Sequence, residues 1–79
     1  MSTNFWKGVI KIVHGNRIKL LREQLGLTQT ELAEKIGLTQ AAIMHFEKGY
    51  KQPSQTTLVA IADVLDCSTD YLLGRTESS

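Results

Sequence analysis

Glycines and helix-capping residues divide the chain into short segments, and this spacing limits the folds that it can adopt. Within each segment after residue 16, apolar residues recur at intervals of three and four, the spacing of one helix face. The expected helix starts are Asn16, Thr28, Thr39, Pro53–Ser54 and Ser68, and the expected ends include Gly26, Gly37, Gly49 and Gly74. Because 79 residues allow a single domain, the pattern predicts an all-α bundle of five helices.

The second and third predicted helices are separated by an unusually short turn. Thr28 and Glu31 form a capping-box pattern at the start of the second helix. Only Gly37 and Leu38 stand between its end and Thr39, which caps the third helix. A glycine in such a short turn is typical of a helix-turn-helix unit, because it adopts a left-handed backbone without steric cost. We therefore expect a helix-turn-helix whose second helix covers about residues 40–48.

Residues 1–15 form an apolar N-terminal extension whose structure the sequence leaves open. Branched residues dominate residues 9–13, which Gly8 and Gly15 flank, and this favours a strand. A helical extension is the alternative, because Phe5 and Val9 would share a face. The expected organisation is an extension at residues 1–15 that is a candidate dimerisation segment, a domain at 16–74 and a polar tail at 75–79.

Charge and residue usage exclude several classes of function. Net charge is only +1, but residues 1–27 hold five Lys or Arg against one Glu, whereas residues 53–79 hold four acids against one Arg. This polarity can orient the protein towards DNA. The single cysteine, Cys67, excludes an internal disulfide and a zinc site of paired cysteines. With no glycine-rich phosphate loop, nucleophile–base pair or apolar membrane span, we expect a cytoplasmic protein that is not an enzyme and has no cofactor or metal.

Several linked motifs resemble one known family. The stretch RIKLLREQLGLTQTELAEKIGLTQ at residues 17–40 is followed by FEKG at 46–49, Pro53, Leu58 and DYLLG at 70–74. In this order they resemble the phage repressor/Cro (XRE) family of helix-turn-helix regulators over residues 16–74. The resemblance implies a lambda-repressor-like bundle, a double-stranded DNA operator with inverted symmetry, a homodimer at least on DNA, and transcriptional repression. An antitoxin or another protein-interaction module on the same fold is the alternative, and a protein partner is compatible with both functions.

The resemblance, together with side-chain chemistry, suggests which residues contact DNA. The face of the third helix opposite Ile43 and Phe46 is expected to read bases. Its residues are Gln40, whose carboxamide matches adenine, Ala41, which suits a thymine methyl group, Met44 and His45. The expected phosphate contacts are Asn16, Arg17, Gln29, Thr39, Lys48, Tyr50, Lys51 and Gln52.

The resemblance also implies two contacts within the protein, an Arg22–Glu47 salt bridge and a hydrogen bond between Gln29 and Gln40. The chain departs from the family pattern at Ala41 and Ala42, where relatives often carry longer polar side chains, and at Lys48, which replaces a frequent asparagine. Sparse direct readout would place more weight on DNA shape.

Overall fold

The computed structural model describes residues 12–79, and this part of the chain is built from five helices. They are α1 (Gly15–Gln24), α2 (Gln29–Ile36), α3 (Gln40–Lys48), α4 (Gln55–Leu65) and α5 (Thr69–Leu72). The predicted all-α architecture is confirmed, and residues 12–79 contain no strand. None of these helices has the length and apolar character needed to cross a bilayer. The alternatives for residues 1–15, including the strand at 9–13, fall largely outside the described residues.

Side-chain caps define the starts of four helices. At α2, the Thr28 hydroxyl accepts from the Glu31 amide at 3.0 Å, and the Glu31 carboxylate accepts from the Thr28 amide at 2.8 Å. The hydrogen bond from the Thr28 amide lowers the pKa of Glu31, since it stabilises the ionised carboxylate. The other caps are Thr39, Ser54 and Ser68. Because Gly37 ends α2 with a φ of 73°, the chain turns directly into the Thr39 cap of α3.

Helix α1 begins earlier than predicted. Asn16 was expected to cap it, but the cap position is His14, which makes no side-chain capping bond, and Gly15 is the first helical residue. This first turn packs tightly on α3: Gly15 lies so close to the carbonyl oxygens of Phe46 and Glu47 that any Cβ would collide with the α3 backbone. The amide of His14 donates to the Leu72 carbonyl at 2.7 Å, which further holds the start of α1 against α5.

Each helix contributes one large, fully buried side chain to the core. These residues are Ile18, Leu32, Ile43, Ile61 and Leu72. Phe46 of α3 is also buried, at 5% exposure. Leu25 continues the apolar spacing of Ile18 and Leu21, but it lies past the end of α1 and is 51% exposed; the buried residue one turn after Ile18 is Arg22. In so small a domain, these few contacts position α3 against α1 and α2.

Truncation of Phe46 tests this packing. Phe46→Ala should lower the free energy of unfolding by about 3–5 kcal/mol, since it leaves a cavity between α3 and its neighbours. Leu20→Ala on the exposed side of α1 is the control and should change it by roughly 0.5 kcal/mol or less. Chemical denaturation measures both. Equal losses for the two variants would show that Phe46 does not hold the core.

Candidate nucleic-acid interface

A buried ion pair joins α1 to the end of α3. The Arg22 guanidinium donates from Nε to Glu47 Oε2 at 2.6 Å and from Nη2 to Glu47 Oε1 at 3.0 Å. A third donor, Nη1, bonds to the Leu27 carbonyl at 2.7 Å. The two side chains are only 9% and 2% exposed, and the hydrogen bond to Glu47 raises the pKa of Arg22 further. This bidentate geometry fixes both the distance and the orientation between α1 and α3.

The ion pair continues into a chain of hydrogen bonds that reaches the surface. Gln29, the first residue of α2, donates from Nε2 to Glu47 Oε1 at 3.0 Å. Gln40, the first residue of α3, donates from Nε2 to Gln29 Oε1 at 2.6 Å. The hydrogen bond between the two glutamines thus has the partners that the resemblance implied. Sequence reasoning missed the link from Gln29 to Glu47, which connects that bond to the ion pair.

The residues expected to read bases are grouped on one side of α3. Gln40 and Ala41 are exposed in its first turn, and Met44 and His45 are half-buried one turn later. The His45 ring lies near the Tyr50 ring, with centroids 6.1 Å apart and planes inclined at 52°. The four side chains therefore form a surface strip that runs along α3 towards Tyr50.

Several of the expected phosphate contacts surround this strip. Lys48, Tyr50 and Lys51 are exposed at the end of α3 and in the loop after it. The amides of Tyr50 and Lys51 both donate to the His45 carbonyl, at 2.9 and 3.3 Å, so the loop is held close to the helix end. Thr39 is exposed at the other end of α3, where its oxygen accepts from the Ala42 amide at 3.2 Å and its hydroxyl proton remains available to donate.

Arg17, another expected phosphate contact, is held by partners within the protein. Its Nη1 donates to the carbonyls of Tyr71 and Thr76, at 2.8 and 2.6 Å, and its Nη2 contacts Glu77 at 3.2 Å. The guanidinium also stacks 4.4 Å from the centre of the Tyr71 ring. These partners are more than 50 positions away in the chain, so no local sequence pattern reveals them. Arg17 therefore binds the C-terminal segment to α1.

The two remaining expected phosphate contacts are Gln52 and Asn16. Gln52 is exposed, but its Oε1 accepts from the Val13 amide at 2.8 Å, which leaves its Nε2 for another partner. Asn16 is exposed in the first turn of α1. The contact between Gly15 and the last carbonyls of α3 puts that turn next to the end of α3.

Comparison with known proteins identifies relatives of this chain. A family model described as helix-turn-helix matches residues 18–72. The chain is 38% identical over 65 residues to the HTH-type transcriptional regulator ImmR of Bacillus subtilis (strain 168), covering 82% of this chain and 51% of ImmR. It is 45% identical over 53 residues to the antitoxin HipB of Escherichia coli, covering 67% of this chain and 60% of HipB. The chain thus spans about half the length of these relatives.

A solved structure shares the fold. The crystal structure of the c2 repressor protein of Salmonella phage P22, in complex with a synthetic operator, superposes with a TM-score of 0.72 at 34% sequence identity. The match covers 73% of this chain and 88% of that chain.

A double-mutant cycle on Arg22 and Glu47 measures the strength of the buried pair. Arg22→Met or Glu47→Leu alone should cost about 3–5 kcal/mol, because each leaves a buried charge without its partner. The double variant should recover roughly 2 kcal/mol of the summed cost. The control is the surface pair Arg75 and Asp70, 3.9 Å apart, whose coupling should be roughly 0.5 kcal/mol or less. Equal coupling in the two cycles would contradict a special role for the buried pair.

Proposed function

The chain belongs to the helix-turn-helix family, and from this membership we propose that it is a transcriptional regulator, acting as a repressor, that binds a specific double-stranded DNA operator. In a helix-turn-helix unit the second helix enters the major groove, with its first residues nearest the base edges. Here that helix is α3 and its first residue is Gln40. We further propose that the protein has no enzymatic activity and acts in the cytoplasm, as suits a regulator of this kind.

The main support for the proposal is that the Gln40 side chain is exposed to solvent but already held in one orientation. It is exposed at the start of α3, yet a 2.6 Å hydrogen bond to Gln29 already orients its amide. A solvent-exposed glutamine ordinarily loses considerable rotamer freedom on binding, and this contact reduces that cost. Its remaining N–H and its Oε1 match the N7 acceptor and N6 donor of adenine. Gln40 is therefore the main base-reading residue of the proposal.

The rest of the α3 strip adds apolar and polar contacts in the groove. Ala41 is exposed beside Gln40 and is small enough to admit a thymine methyl group. Met44 and His45 lie one turn further along, where their longer side chains extend towards the next base pairs. With one strong base reader, sequence-dependent DNA shape contributes a share of the specificity.

Phosphate contacts flank the strip on both sides in this proposal. Lys48, Tyr50 and Lys51 contact the DNA backbone near the end of α3, and Thr39 contacts the DNA backbone near the start of α3. Gln29 contributes from the first turn of α2, where free backbone amides favour an anion. Asn16, the free Nε2 of Gln52 and Arg17 are secondary candidates, Arg17 because its guanidinium also bonds to the C-terminal segment.

Two substitutions separate base reading from backbone binding. Gln40→Ala should weaken binding to a duplex selected from a random library by roughly 1–3 kcal/mol, and weaken binding to unrelated DNA much less. Lys51→Ala should weaken both and reduce the salt dependence by about one phosphate contact per subunit. Titrations of both duplexes at several salt concentrations measure these effects. A loss that is equal on both duplexes for Gln40→Ala would refute α3 as the reading helix.

We propose that two copies bind an inverted repeat, with half-sites about 34 Å apart. A single α3 presents too few base contacts for strong discrimination, and two-fold symmetry doubles them. Sedimentation of the protein with its selected duplex should give two chains per duplex at saturation. Selected sites should show inverted symmetry. One chain per duplex, with sites that lack symmetry, would contradict the proposal, whereas a monomeric free protein is compatible with dimerisation on DNA.

The similarity to HipB favours a second candidate function, that of an antitoxin. An antitoxin acts by binding a protein partner, and the same fold can serve both roles. The two functions differ in what the isolated chain does. A repressor selects a duplex from the random DNA library without a protein partner. An antitoxin that acts only by binding a protein selects no duplex from that library.

A further inference from the structure

The hydrogen-bond chain behind Gln40 has a direction that the carboxylate at its inner end determines. Paired with Arg22, the Glu47 carboxylate can accept hydrogen bonds but has no proton to donate. Gln29 reaches Glu47 Oε1 at 3.0 Å, and only its NH2 group can make that bond. The chemistry of Glu47 therefore settles which end of the Gln29 amide points inward.

The orientation of Gln29 determines that of Gln40. With its NH2 group directed at Glu47, Gln29 presents its carbonyl oxygen to Gln40. Gln40 must donate an N–H to that oxygen, and its Nε2 lies 2.6 Å from Gln29 Oε1. Its free groups are then Oε1 and the second N–H of the same amide. This edge of Gln40 carries one acceptor and one donor.

The alternative orientation would present a different edge. If Gln29 were reversed, its NH2 group would face Gln40, and Gln40 would have to accept with Oε1. Both N–H groups of Gln40 would then be free. Adenine offers a donor and an acceptor in the major groove, whereas guanine offers two acceptors. The observed orientation leaves Gln40 only one free N–H and matches adenine, whereas the reversed one would also offer guanine two N–H donors.

We propose that Glu47, acting through Gln29, determines the preference of Gln40 for adenine over guanine. This inference rests on the proposed function, since it needs α3 in the major groove. Glu47 and Gln29 are positioning residues in it: the buried pair fixes the amide direction of Gln29, and Gln29 transmits it over two hydrogen bonds to the base-reading group. A residue whose side chain is only 2% exposed thereby affects base choice at the surface.

The test replaces Gln29 by a side chain of similar length that has no hydrogen-bonding groups. Gln29→Met leaves Arg22 and Glu47 paired but lets the Gln40 amide rotate. The control is Gln24→Met, the same substitution at an exposed position at the end of α1. Thermal denaturation of each variant establishes that it is folded. Binding is then measured on duplexes with A·T or G·C at the base pair whose selection depends on Gln40.

The parent protein and Gln24→Met should favour the adenine duplex by at least roughly tenfold, the range of one good two-bond contact. In Gln29→Met, loss of the proposed phosphate contact should weaken binding to both duplexes, but the ratio should fall to about threefold or less, because the freed Gln40 amide can also present two N–H groups to guanine. An unchanged ratio in Gln29→Met would overturn the inference. Since Gln40→Ala is measured in parallel, a preference that survives loss of Gln40 itself would count against the proposed base reader as well.

A measurement without DNA tests the same step independently. In the free protein, the side-chain amide protons of Gln40 should exchange with water more slowly in the parent and in Gln24→Met than in Gln29→Met, because the bond to Gln29 protects one of them. Equal exchange in all three proteins would show that Gln29 does not hold the Gln40 amide, whatever DNA the protein binds.

Discussion

The ion pair between Arg22 and Glu47 is the contact on which the rest of the structure depends. Removing two charges from water is costly, and the cost is offset here because the guanidinium makes two bonds to the carboxylate and one to the Leu27 carbonyl. In return, the pair holds α1 and the end of α3 in one relative orientation. An apolar contact of the same size would restrain direction less, since the hydrophobic effect is not directional.

The same pair links stability to the proposed DNA surface. Glu47 has a hydrogen-bonding partner on its outer side as well, and Gln29 and Gln40 extend the network from the interior to the first turn of α3. Each member satisfies a polar group of the next, and no buried side-chain polar atom in residues 12–79 lacks a partner. A network satisfied in this way gives the outermost amide a defined orientation before any ligand arrives.

Much of the candidate site was accessible from the sequence, because its geometry follows from local rules. A left-handed glycine and a threonine cap place Gln40 at the start of α3, and helical periodicity puts Ala41, Met44 and His45 beside it. The resemblance supplied the partners of the ion pair. Arg17 shows where such reasoning ends, since an arginine at the start of a helix fits a phosphate contact equally well until its partners near residues 71–77 are seen.

The sequence by itself determined the five helices of residues 12–79, the side-chain caps of α2 to α5 and the short turn between α2 and α3, because these depend on residues within four positions of one another. Tertiary structure decided the rest. It moved the start of α1 to Gly15, where only a glycine fits against the α3 carbonyls, and it turned Leu25 outward. It also joined Glu47 to Gln29, 18 positions away, and so set the direction of the hydrogen bonds that end at Gln40. Those contacts exist only when three helices meet, and no local pattern encodes their meeting point.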